Sequence, residues 1–99
     1  MEYKDNYLPV DPDFVDEVVK LSHRKTSGKV HYFDPENQIQ LKEGIVGGMV
    51  KNGFELFVNI KDQGNVRLDK VITLFGRPGP SYALYDSYAN ACLACEQPN

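Results

Sequence analysis

No stretch of this 99-residue chain approaches the run of about twenty apolar residues that crosses a bilayer. The opening Met1-Glu2-Tyr3-Lys4-Asp5-Asn6 lacks the basic and apolar regions of a secretory signal peptide. The expectation is a cytoplasmic protein with no membrane partner. Cysteine is scarce, with only Cys92 and Cys95, and in a reducing compartment such a pair argues against a structural disulfide. Familiar catalytic patterns are missing too: there is no Ser-His-Asp order, no P-loop and no His-Glu-x-x-His. The two histidines, His23 and His31, have no acid or nucleophile at motif spacing, so the chain reads as a non-enzyme without a cofactor. A surplus of positive charge is also lacking. Eleven Lys and Arg against fourteen Asp and Glu leave a net charge of -3, which disfavours a surface attracting nucleic acid everywhere and suits a basic partner.

What is present is most informative at Asn65-Val66-Arg67-Leu68-Asp69-Lys70-Val71-Ile72-Thr73-Leu74. An alternating stretch with Val66 and Leu68 and a mainly β-branched run at Val71, Ile72 and Leu74 flank the charged pair Asp69-Lys70, the pattern of a strand re-aimed by a bulge or one helical turn so that a small sheet can bend on itself. Upstream, Asp11 suits an N-cap and Pro12 the first helical position. Phe14, Val15, Val18, Val19 and Leu21 form an apolar stripe, predicting a helix from about Pro12 to Ser22 that lies on a sheet. The periodicity then falls to two. Strands are expected over Lys29 to Phe33, Gln38 to Val50 and Glu55 to Ile60, with turns at Asp34-Pro35-Glu36-Asn37, Lys51-Asn52-Gly53 and Lys61-Asp62-Gln63-Gly64. Gly44 and Gly47-Gly48 mark bends in the long second strand, as one shared between two halves of a small barrel requires.

Charge is unevenly spread. From Met1 to Lys20 there are six acids against two bases, while Leu21 to Lys29 carries Arg24, Lys25 and Lys29 without an acid. Asp13, Asp16 and Glu17 complement the positive end of the helix dipole, and on many helices such acids only cap and solubilise. Asp13 and Glu17, however, are like charges four residues apart on one face, a cost unless a cation answers them. Lys20 can answer from Asp16 or Glu17, which resolves the conflict only in part.

The predicted fold class is therefore mainly β (α+β). It has an N-terminal helix, then a five-stranded, strongly bent antiparallel sheet on the plan of a Sm-like small barrel, with SH3-like and OB barrels as neighbouring plans. Residues 1–99 form one domain, with a core over 7–75 and a C-terminal extension over 76–99. Arg77-Pro78-Gly79-Pro80 reads as a rigid turn. Ser81 can cap a helix from about residue 82 that carries Leu84, Tyr85, Tyr88, Ala89, Cys92 and Leu93 on one face. Its tyrosines, spaced as a packed face, are better read as packing than as base-stacking groups. Cys92-Leu93-Ala94-Cys95 is a weak metal candidate, since a structural zinc needs four ligands and only His23 and His31 could complete the set.

Tyr7-Leu8-Pro9-Val10-Asp11, with the acidic helix at its spacing after it, resembles the opening motif of the Rho-binding antiterminators called Rof, a bacterial family. Arg67-Leu68-Asp69-Lys70 with the β-branched run that follows, and Glu55-Leu56-Phe57-Val58, are similar to later segments of that family. The resemblance spans about Tyr7 to Leu74, and Val19 stands where the family has another acid. It implies a Sm-like fold and inhibition of transcription termination, with helix acids presented to basic residues of the terminator Rho that otherwise hold RNA. The contact role falls on Asp13 and Asp16, and on Glu17 because it shares their face. The alternative is a Sm-like RNA-binding protein using Arg24, Lys25, Lys29 and Arg67 as a basic patch.

Overall fold

The structure, a computed structural model, describes residues 6–87. Helix α1, Pro12–Arg24, begins where Asp11 caps it, the carboxylate Oδ1 accepting the Asp13 amide at 2.8 Å. It runs two residues past the expected end, because Lys25 takes the left-handed conformation (φ 55°) that glycine usually supplies at a helix terminus. His23 and Arg24 in the last turn complement the negative end of the dipole.

The strands are β1 Ser27–Phe33, β2 Ile39–Asn52, β3 Glu55–Ile60, β4 Gly64–Arg67, β5 Val71–Leu74 and β6 Arg77–Pro78. They form one antiparallel sheet in the order β4-β3-β2-β1-β5-β6. The charged interruption between β4 and β5 is a 3-10 turn, Leu68–Lys70. The fold is thus one helix followed by a mostly β body, but the sheet has six strands rather than five and is not closed.

The sixth strand occupies the segment expected to be a rigid turn. Phe75 (φ 51°) and Gly76 (φ 82°) make a two-residue connection with consecutive positive φ, which folds Arg77 and Pro78 back onto Leu74 and Thr73. Proline lacks an N–H and tolerates only an edge position, and that is where Pro78 lies. The Phe75 ring presses on β1. A Cβ on Gly28 would lie 2.5 Å from the ring carbon Cγ, so no larger residue fits there without displacing the ring.

Strand β2 belongs to both halves of the sheet. Ile39 to Ile45 pair with β1, and Val46 to Asn52 pair with β3, with a register shift between Val46 and Gly48. Gly47 is at this bulge, and a Cβ there would meet the Asn59 side-chain oxygen at 2.5 Å. The glycines thus bend the strand where the sequence anticipates a bend.

Val18 and Leu21 of α1 pack into a core with Val30, Val46, Val58, Ile60, Val66, Leu68, Val71 and Leu74. Burying each such side chain contributes roughly 1.5–3 kcal/mol, and this anchors the helix on the sheet with its charged face outward. Beyond β6, residues 82–87 are helical, and the expected continuation through Tyr88, Cys92 and Cys95 lies outside the described residues. Among the described residues no helix is long and apolar enough to cross a membrane.

Candidate interaction surface on the acidic helix

Helical geometry places Asp13, Asp16 and Glu17 within an arc of about 100° on α1. Asp13 and Asp16 are exposed, whereas Glu17 is half-buried. Glu17 is also the one of the three that is compensated. Its Oε1 lies 3.8 Å from the Lys20 ammonium and its Oε2 3.4 Å from the Arg77 guanidinium. Neither Asp13 nor Asp16 forms an ion pair among the described residues.

An open groove of about 630 Å³ runs beside the helix start, with Asp11, Asp13 and Glu17 on one wall and Arg77 and Pro78 on the other. The folding back of β6 brings Arg77 to this place, so sequence reasoning that stops at a rigid turn has no reason to find it. Exposed carboxylates, weakly compensated and on a rigid helix, can meet cationic side chains of a partner at little conformational cost.

The largest group that sequence reasoning misplaces is Arg67. As a member of a basic RNA-binding patch it would be exposed, but it is buried in an ion pair with Asp69, and both side chains are 3% exposed or less. Arg67 Nε donates to Asp69 Oδ1 at 2.6 Å and Nη2 to Oδ2 at 2.9 Å. The two residues reach each other because the extended backbone at Arg67 gives way at once to the 3-10 turn.

The pair also holds the chain that leads into α1. Arg67 Nη2 donates to the Asn6 carbonyl at 3.2 Å, and Asp69 Oδ2 accepts the Leu8 amide at 3.0 Å. The Tyr7 ring lies over the guanidinium, 5.7 Å from it, and meets Phe54 edge-on at 6.1 Å. Burial pushes the Tyr7 phenol above its ordinary pKa. On the far side the Ser81 hydroxyl donates to the Asp69 carbonyl at 2.7 Å, tying the C-terminal segment to the same point. An Arg-x-Asp spacing between two apolar runs is the signal that could have disclosed the pair.

The remaining basic candidates, Arg24, Lys25 and Lys29, are exposed on the end of α1 and the start of β1. Lys25 shares a groove of about 390 Å³ with Ser22, Asn59 and Lys61. His31 Nδ1 lies 3.0 Å from the Thr73 hydroxyl, and His23 is exposed in the last turn of α1. Among the described residues no group of three or more His, Cys, Asp and Glu could hold a metal ion. Cys92 and Cys95 lie outside them. No protein-family model, curated protein or solved structure matches the chain.

Proposed function

We propose that this is a cytoplasmic, non-enzymatic inhibitor of the transcription terminator Rho, which uses its acidic helix to occupy the surface where Rho holds RNA. The observation that carries the reading is the state of the helix carboxylates. Asp13 and Asp16 project from a rigid helix without a cationic partner among the described residues, while the neighbouring Glu17 is answered by Lys20 and Arg77. The resemblance of Tyr7 to Asp11 and of Arg67 to Lys70 to the Rho-binding antiterminators supplies the identity of the partner.

The chemistry is consistent with that role. RNA is held largely through Lys and Arg contacts to phosphate, so carboxylates offered to the same side chains compete directly. The strand order β4-β3-β2-β1-β5, the bulge in β2 and the 3-10 turn before β5 support a Sm-like body, which β6 extends at one edge. The Arg67–Asp69 pair and the Tyr7 ring then act as positioning elements, fixing the chain four residues before the helix cap. The alternative of a Sm-like RNA-binding protein loses Arg67 from its patch.

The test is competition. Full-length chain should displace single-stranded RNA from purified Rho at low salt and bind Rho directly. Retained RNA with no direct binding would remove the reading.

A further inference from the structure

Ile39 to Glu43 of β2 pair with β1 on one side and have no ladder partner on the other among the described residues. The pairing of β2 with β3 begins only at Val46, opposite Ile60, and the β3–β4 turn reaches back no further than Ile45 and Gly44. This leaves an open backbone edge of the kind that accepts another strand. Lys42 and Glu43 put charge at one end of this edge, but its other end is apolar and exposed. Ile39 and Leu41 point to one face at 48% and 50% exposure, and no proline lies within the strand. Ile39 also lines an open groove of about 670 Å³ of mixed character, where Phe33 and Leu84 stand beside Glu36, Gln38 and Lys70.

We propose that two copies of the chain associate through this edge, β2 against β2, antiparallel about a two-fold axis at Gln40. The strand's own sequence selects both the occupant and the register. Centred on Gln40, the pairing sets Ile39 of each copy opposite Leu41 of the other, a four-residue aliphatic cluster, with Lys42 opposite Gln38 and no like charges face to face. Shifting the centre to Leu41 would set Ile39 against Glu43. A shift to Lys42 would set lysine against lysine, which is repulsive. Of these three registers the Gln40 one lets each copy complement itself, as an isologous two-fold contact demands, and it pairs both Ile39 and Leu41, whereas a centre at Ile39 would set Leu41 against Asn37 of the turn. Asp34 holds the Gln40 amide at 3.0 Å and accepts the Gln38 amide at 2.9 Å, so the hairpin that presents the edge is already ordered before a second copy arrives.

Sedimentation equilibrium of the full chain in reducing buffer tests this. The wild type should self-associate to a dimer, and either Ile39→Glu or Leu41→Lys should weaken the dimer at least about tenfold. Both sites are exposed, so circular dichroism and melting should show the fold of each variant intact. The double variant Ile39→Glu/Leu41→Lys should recover the dimer, because each Glu would then face a Lys of the other copy. A wild type that stays monomeric up to about millimolar concentration would overturn the proposal, as it would if residues 88–99 or a foreign strand covered the edge. A dimer indifferent to both single substitutions would place the contact elsewhere and overturn it too. A double variant no tighter than the singles would overturn the register.

Discussion

Splitting the Arg67–Asp69 pair should destabilise the protein by about 3–5 kcal/mol, because Asp69→Ala strands a buried guanidinium without its counter-charge. Replacing both residues at once, as in Arg67→Met/Asp69→Leu, should cost clearly less than either single change. The remaining loss comes from the Leu8 amide and Asn6 carbonyl, which lose their partners at about 1–3 kcal/mol for a buried group. Urea unfolding of the wild type, Arg67→Met, Asp69→Leu and the double variant measures this coupling directly. Asp34 makes a different prediction. The Gln38 amide, then the Gln40 side chain and the Glu36 amide, hold its carboxyl below the usual 3.8. The unfolded chain therefore takes up the proton first as pH falls. The stability from Asp34 is complete above its unfolded pKa and is lost as pH drops through the lower folded value. Stability should fall below about pH 4 in the wild type, and Asp34→Ala should flatten that limb. These residues also mark what the sequence discloses at this scale. Asp11 is legible as a cap because capping is local, whereas the burial of Arg67 depends on residues 6–8 returning from sixty positions away.

Helix α1 is legible almost whole, since its N-cap Asp11 stands immediately before it and a proline and an apolar stripe lie within its own thirteen residues. Its expected end at Ser22 falls short only because Lys25 accepts a left-handed conformation that nothing in its side chain announces. Strand β3 is found at its expected bounds, Glu55–Ile60, between two turn signals. Strand β6 is not legible, because two prolines in Arg77-Pro78-Gly79-Pro80 speak against a strand and its pairing depends on the Phe75-Gly76 turn. At that turn Gly28→Ala should destabilise by about 1–3 kcal/mol, since the new methyl would meet the Phe75 ring. The ring is packed against the core and cannot move aside without further loss, and thermal melts of the wild type and the variant would show the cost. On α1, the exposed acids should matter little for folding. Asp13→Lys/Asp16→Lys should cost about 0.5 kcal/mol or somewhat more, through the loss of Asp13 near the positive end of the helix, and should keep the wild-type circular dichroism.

At the scale of the whole molecule, the alternation of strands and short turns yields the mainly β class and the helix-first order. Closure of the sheet is not legible, since it depends on whether β4 reaches the far edge, and here β6 lengthens that edge instead. The candidate surface divides in the same way. Asp13 and Asp16 stand where helical spacing puts them, while the compensation of Glu17 by Arg77 follows from tertiary folding. That division produces an asymmetric expectation: Asp13 and Asp16 should dominate binding, Glu17→Gln should have a smaller effect, and added salt should slow association. The measurement closest to the central claim is the affinity of purified Rho for the full chain at low salt, wild type beside Asp13→Lys/Asp16→Lys. The account predicts binding by the wild type that competes with RNA, and a loss of about 2–5 kcal/mol in the folded double variant. Equal binding by the two proteins, or none by the wild type, would contradict it.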